Sequence, residues 1–374
     1  MSKPSTCFLE KVFMSFDKTC PYNDLPDLPP QVFIETTAVL KMAIRANKAM
    51  AELRISGHLV PNQTVLIQAL GLSEAKMSSE IENIVTTNDE LYRAFADENM
   101  AMDAQTKEVL LYKDALWHGY DALVTKKRQL TTPLFIELVQ ILKNSTQGVR
   151  KFPGTKLVNS FNEVMYTPPE GEEIIRKKLF SLEKFIHMES SLDPLIQMAL
   201  VHYQFEAIHP FPDGNGRAGR ILNILFLIEK GLLDLPILYL SRYIISNKTA
   251  YYNGLRNITE SHAWEPWILY ILEGLEQTAI ATRKQIVQIH QLIQETAIKV
   301  RAKLPRIYSK DLIEVLFRSP YCKIKSLEEA GIVKRQTASG YLHQLEDIGV
   351  LRSLKSGRDT YYINDVFLKI LTVD

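Results

Sequence analysis

A mainly α-helical fold follows from three observations on this 374-residue sequence. Met198, Val201, Phe205 and Ile208 recur at helical spacing before a glycine-rich dozen, and Ile221, Leu222, Ile224, Leu225 and Ile228 recur after it. Further segments of helical period fill most of the remaining chain. Runs with β propensity are short and confined to two places, around 157–166 and 350–363, each beside turn residues.

In order, residues 1–30 read as an irregular arm ending at Pro29-Pro30. A helix follows with Val39, Ala43, Ala46, Met50 and Leu53 on one face and Gly57 as its stop. After a turn at Pro61-Asn62, Val65 to Val85 is helical again, with an interruption expected at Gly71. Helices are expected over Lys107–Lys126, Thr132–Asn144, Glu172–Met188 and Leu195–Ala207. Between them, Leu157-Val158 and Val164-Met165-Tyr166, framed by Gly154, Asn159 and Asn162, read as a surface hairpin. Gly231 ends the helix that follows the glycine-rich dozen, and one or two long helices span Trp264 to Val300. Lys303-Leu-Pro305 reads as a linker. Beyond it, helices at Leu312–Phe317, Leu327–Ile332 and Arg335–Gly349 precede two β-prone runs around the turn Ser356-Gly357. That order resembles a winged helix-turn-helix, in which Arg335, Gln336, Thr337, Ser339 and His343 would face a DNA groove. The charge is neutral on the point, with 11 Lys/Arg against 9 Asp/Glu over residues 306–374. DNA, dimerisation and protein docking all stay open for this module.

Length implies more than one unit, and we divide the chain into 1–115, 116–300 and 305–374. A hydrophobic fraction of 46% supports packed cores, and a net charge of +1 gives no global pull toward nucleic acid or acidic membranes. Cys7, Cys20 and Cys322 form no C-x-x-C pair, which argues for a reducing compartment and against structural zinc. Glu10, Lys11 and Asp17 interrupt any signal-peptide core. The most apolar run, Ile221 to Leu240, carries Glu229, Lys230 and Asp234, so it is read as core rather than membrane span. A soluble cytoplasmic protein without a membrane partner is expected.

The chemistry concentrates in His209-Pro-Phe-Pro-Asp213-Gly214-Asn215-Gly216-Arg217-Ala218-Gly219-Arg220. Glycines allow close backbone approach to an anion, and the N–H groups of a starting helix point at it. Arginines add charge-assisted bonds to phosphate oxygens. An acid beside them suits Mg²⁺, and a histidine can take a proton near neutral pH. The reading is a nucleotide phosphate site with its own general base. A dinucleotide fingerprint is excluded because a helix, not a strand, precedes the glycines. A P-loop is excluded because Arg220-Ile221 stands where Lys-Ser/Thr is required.

The dozen resembles the Fic family motif, H-x-F-x-D/E-G-N-G-R-x-x-R, with every specified position matched. The resemblance implies a helical core with a β-hairpin flap and transfer of AMP from ATP to a hydroxyl of a target protein, the chain itself included. His209 would be the base and Asp213 the Mg²⁺ ligand. Asn215 and the glycine amides would meet the α-phosphate, Arg217 the β-phosphate and Arg220 the γ-phosphate, with Ala218 and Gly219 in the same turn. The adenine would lie near Tyr251. The flap would hold the target by strand-like pairing, aligned here to Lys156, Leu157 and Val158.

Ser78-Ser79-Glu80-Ile81-Glu82-Asn83 resembles the family's S/T-x-x-x-E-G/N inhibitory motif. It implies that Glu82, sharing a helix face with Ser78, pairs with Arg220 and blocks seating of the γ-phosphate. A nucleotide-sensing DNA-binding regulator, and a Fic enzyme that removes AMP or transfers another phosphate group, stay open as alternatives. A homodimer is a further partner option.

Overall fold

The structure is a computed structural model that describes residues 16–60, 62–97, 102–159, 161–356 and 359–372. Cys7, Pro61, Gly357 and the first half of the N-terminal arm lie outside those residues. Helices α1 (Thr37–Ser56), α2 (Gln63–Ile81), α3 (Asn88–Ala96), α4 (Ala104–Val124) and α5 (Thr132–Leu142) lead to strands β1 (Leu157–Val158) and β2 (Val164–Tyr166). Next come α6 (Glu172–His187), α7 (Pro194–Ile208), α8 (Asn215–Glu229), α9 (Ser241–Ser246), α10 (Lys248–Ser261) and α11 (Trp264–Lys303). The last part runs α12 (Lys310–Leu316), β3 (Tyr321–Cys322), α13 (Ile324–Glu329), α14 (Arg335–Asp347), β4 (Arg352–Ser356), β5 (Asp359–Ile363) and α15 (Asp365–Thr372).

Helices α7 and α8 form the centre. Thirteen of the fifteen residues in each are buried, the pattern of helices that are covered on all sides. Helices α1, α6 and α11 cover α7, while α2, α4 and α5 cover α8. Trp267 of α11 donates its indole N–H to the Ala199 carbonyl at 2.8 Å, tying the long helix to the centre. Helix α1 runs alongside α11 in the same direction: Thr36 meets Glu265, Arg45 meets Glu276, and Glu52 meets Arg283. The expected inward faces hold, with Val39, Ala43, Ala46, Met50 and Leu53 all buried.

Strands β1 and β2 pair antiparallel as the expected hairpin, its turn closed by Asn162 at φ 63. The C-terminal part contains the expected three helices and hairpin, with β3 added to give an antiparallel sheet of order β3-β5-β4. It packs back on the N-terminal helices. Tyr321 donates to Asp89 at 2.8 Å, Lys323 pairs with Asp97 at 2.5 Å, and Ser73 reaches the Leu371 carbonyl at 3.3 Å. On α14, Arg335, Gln336, Thr337 and His343 are exposed and Ser339 is half-buried.

Several boundaries differ from the sequence reading. Helix α2 runs through Gly71 without interruption, because Leu70 and Leu72 on either side are buried and outweigh a glycine cost of about 1 kcal/mol. It ends at Ile81, short of Val85, in a left-handed turn at Asn83. Helices α3 and α15 were not anticipated. For α3 a signal exists, since Thr87 and Glu90 form a capping box. The segment from Trp264 is one helix of 40 residues.

Candidate active site

Helix α7 ends at His209, whose backbone is left-handed at φ 48 and ψ 59, so the chain turns sharply and carries the imidazole into a cleft. Arg150 fixes that turn. Its buried guanidinium donates to the His209 carbonyl at 2.7 Å and also to the carbonyls of Ile208 and Pro169. Burial, with the Arg150 charge beside it, pushes the His209 imidazole down to about 4. The ring is therefore neutral at pH 7 and can accept a proton.

Gly214 caps α8 at φ 79, a conformation glycine adopts without strain. Ala218 N–H makes the first bond back, to the Gly214 carbonyl at 2.9 Å, which leaves the amides before it outside the helical ladder. Asn215 is buried and holds the preceding loop: its side chain donates to the Phe211 carbonyl at 2.7 Å and accepts from the Phe211 N–H at 2.8 Å. Arg217 and Arg220 stand one turn apart on α8, their side chains 1% and 3% exposed. Two guanidinium groups at a helix N-terminus make a strongly anion-seeking surface.

Both arginines are engaged by one carboxylate. Glu82 Oε1 lies 2.9 Å from Arg220 Nη2, and Oε2 lies 2.8 Å from Arg217 Nε. Ser78 adds two bonds to Arg220, from Nε to its hydroxyl at 2.7 Å and from Nη2 to its carbonyl at 2.8 Å. Asn83 explains how Glu82 gets there. Its left-handed turn closes α2, with Ile84 N–H bonded to the Ser79 carbonyl at 3.1 Å and Asn83 N–H to the Glu80 carbonyl at 3.0 Å. Glu82 is thereby set at the helix end, facing α8. Gly216 makes the approach possible, since a β-carbon there would stand 2.6 Å from Glu82 Oε1. The sequence reading paired Glu82 with Arg220 alone; the structure has it bridge Arg217 as well.

Two charged residues that sequence reasoning missed complete the network. Glu108 of α4 accepts from Arg217 Nη1 at 2.7 Å, and Lys143 at the end of α5 lies 3.1 Å from Glu108 and 2.7 Å from Asp213. Asp213 is 61% exposed and accepts from Gly214 N–H at 2.6 Å. Burial raises the Asp213 carboxyl, but the Lys143 bond and charge outweigh it and hold it below the ordinary range. Glu206, one turn before His209, is pushed up to about 7 by burial.

Glu82, Glu108, Lys143, Glu206, His209, Asp213, Arg217 and Arg220 line one cleft of about 1110 Å³. Lys156, Leu157 and Val158 of the hairpin form one wall, and the edge of β1 away from β2 carries no strand among the described residues. Tyr251 also lines the cleft but is only 2% exposed, its hydroxyl 2.9 Å from His202 Nε2. Tyr252, 49% exposed and edge-on to it with ring centroids 5.2 Å apart, presents the accessible ring there.

Three family models match the chain in series: the Fic/DOC family N-terminal region over residues 40–121, the Fic/DOC family over 129–227, and the protein adenylyltransferase SoFic-like C-terminal domain over 292–367. A protein of Aquifex aeolicus (strain VF5) named "Probable protein adenylyltransferase aq_aa38" is 25% identical over 210 residues, which span 52% of this chain and 65% of that protein. The protein adenylyltransferase fic-1 of Caenorhabditis elegans is 33% identical over 112 residues, 29% of this chain and 20% of that one. The match thus spans less than two thirds of either relative. Among solved structures, a Fic family protein from Desulfovibrio desulfuricans G20 superposes with a TM-score of 0.56 at 18% identity, covering 90% of this chain and 98% of that one. No helix is long and apolar enough to cross a membrane, among the described residues.

Proposed function

Since the chain belongs to the Fic/DOC family, we propose that it is a protein adenylyltransferase, transferring AMP from ATP to a hydroxyl of a protein and held back by Glu82. The observation that carries this is the placement of a neutral, cleft-facing His209 immediately before an anion-seeking helix start with two buried arginines.

In this reading His209 takes the proton from a Ser, Thr or Tyr hydroxyl. The oxygen forms a bond to the α-phosphorus, the bond from that phosphorus to its bridging oxygen breaks, and pyrophosphate leaves with the electron pair. A positioned base contributes roughly 10²–10⁴ in rate, and the rest is placement and charge stabilisation. The N–H groups opening α8 meet the α-phosphate, while Arg217 and Arg220 clamp the two phosphates beyond it. Asn215 acts by holding the Phe211 loop against α8. Gly214 and Gly216 keep that turn small enough for phosphate to approach, whereas Ala218 and Gly219 lie off the cleft, Gly219 facing α7 where a β-carbon would stand 2.5 Å from Glu206 Oε1. Tyr251 supports the adenine end from behind Tyr252.

Mg²⁺ fits the donor set: the Asp213 carboxylate, 61% exposed with Oδ2 paired to Lys143 and Oδ1 accepting from Gly214 N–H, is a hard oxygen donor, and Mg²⁺ is commonly held by one or two carboxylates plus substrate phosphates and water. When bound it would neutralise phosphate charge as pyrophosphate departs. The target enters along the flap, where Lys156, Leu157 and Val158 present a strand edge for added pairing. The three-part division at 115 and 305, a cytoplasmic setting, self-modification, and a winged C-terminal module that docks protein, DNA or a second copy belong to the same reading.

The test is to incubate the full chain with ATP and Mg²⁺ and locate added AMP by mass spectrometry. Wild type and Glu82→Gly should carry it on a hydroxyl side chain, and His209→Ala should carry none while still binding ATP. Modification of His209→Ala to the wild-type extent would refute the assignment.

A further inference from the structure

Lys143 stands where a cation belongs. Its stem lies along Gly214, with Cδ 3.5 Å from where a β-carbon of that residue would be. Its ammonium sits between two carboxylates from different elements, 2.7 Å from Asp213 Oδ2 and 3.1 Å from Glu108 Oε2. A pair of carboxylate oxygens converging on one point is a donor set for a hard divalent ion as much as for an ammonium.

Of the three cations bonded to Glu82, Glu108 and Asp213, Lys143 is the most exposed. Arg217 and Arg220 have side chains 1% and 3% exposed and are each held by two or more bonds. The Lys143 side chain is 23% exposed and lines the cleft. A lysine carries a compact charge on a flexible stem and binds phosphate as a point charge.

We propose that Lys143 gates the divalent cation and binds phosphate: without nucleotide its ammonium fills the cation position between Asp213 and Glu108, and an arriving nucleoside triphosphate draws it onto phosphate oxygens. Asp213 is then freed for the ion that accompanies the nucleotide, so metal and nucleotide load together. Glu108 remains as the counter-charge to Arg217. The inference rests on the nucleotide-transfer reading of the cleft.

Two binding measurements on the full chain test it, neither of which requires turnover. In the first, Mn²⁺ affinity is read by electron paramagnetic resonance without nucleotide. Lys143→Met should bind Mn²⁺ about tenfold more tightly than wild type, the scale of one charge-assisted bond. Adding Glu108→Gln to that variant should return the affinity to the wild-type level. In the second, a non-hydrolysable ATP analogue is titrated with EDTA present, in the Glu82→Gly background. There Lys143→Met should bind about tenfold more weakly than its parent. Lys143→Gln is run beside it, and melting curves establish that each variant is folded. Unchanged Mn²⁺ affinity or unchanged metal-free analogue affinity in a folded variant would overturn the proposal. Failure of the analogue to bind the parent at all would instead sink the nucleotide reading on which it rests.

Discussion

Replacing Glu82 with Gly should raise AMP transfer by about 10²-fold. Glu82 occupies the guanidinium groups of both Arg217 and Arg220, at 2.8 and 2.9 Å, so a triphosphate cannot use either clamp fully while it is there. A nucleotide held by the remaining contacts has its α-phosphorus out of line, and a misplacement on the order of 1 Å costs roughly 10²-fold. The substitution is also destabilising. Removing one partner of a buried pair costs about 3–5 kcal/mol. Here the cost should fall below that range, because the Glu82 side chain is 24% exposed, Ser78 keeps two bonds to Arg220, and Glu108 keeps one to Arg217. The assay is incorporation of α-labelled AMP by wild type, Glu82→Gly, and Glu82→Gly with Arg220→Ala, with melting temperatures recorded for each. The double variant should return toward the wild-type rate. A folded, ATP-binding Glu82→Gly protein with unchanged transfer would refute the inhibitory role of Glu82.

With His209 pushed down to about 4, the acid limb of kcat/KM in the Glu82→Gly background should fall near pH 4 rather than near 6.5, activity rising as the base deprotonates. The same shift bears on stability: between about 4 and 6.5 the unfolded chain binds the proton and the folded chain does not. This contribution is therefore complete above about 6.5 and is lost as pH falls toward 4, and a pH series of melting curves on wild type and His209→Ala reads it. Arg150→Ala leaves the carbonyls of Ile208, His209 and Pro169 without their donor, at about 1–3 kcal/mol for each group left unsatisfied. A clear drop in Tm together with loss of transfer is expected, and wild-type values for both would contradict the anchoring role. Removal of residues 305–374 strips α2 and α3 of their contacts with Leu371, Tyr321 and Lys323; the shortened chain should melt below the full one, and an equal Tm would show that the module adds nothing to the core.

The core of the site was legible because phosphate chemistry restricts residue choice within a short stretch. Gly214 through Arg220 needed only local geometry, a tight cap followed by a helix start with two arginines. The contact of Glu82 with the arginines was different. Helical spacing places Ser78 and Glu82 on one face, but that they meet a guanidinium 142 and 138 positions away came only from the family resemblance. Bridging to Arg217 was not foreseen, since nothing local distinguishes one arginine from the other as a target. Glu108 and Lys143 were invisible for a similar reason. On amphipathic helices a lone Glu or Lys reads as a solvated charge, and only the packing of α4 and α5 over α8 brings them into the cleft. The tyrosine choice came from the family resemblance as well. Tyr251 and Tyr252 both line the cleft, yet Tyr251 turns inward to His202 and Trp267, leaving Tyr252 as the exposed ring.

The central claim, transfer of the α-phosphoryl nucleotide by His209, is tested most directly by where the label travels. Glu82→Gly protein is incubated in parallel with ATP labelled at the α- or at the γ-phosphate, with the Glu82→Gly, His209→Ala double variant as control. The account predicts that protein acquires label from the α-position alone and that the double variant acquires none. Label arriving from the γ-position, or α-label persisting without His209, would contradict it.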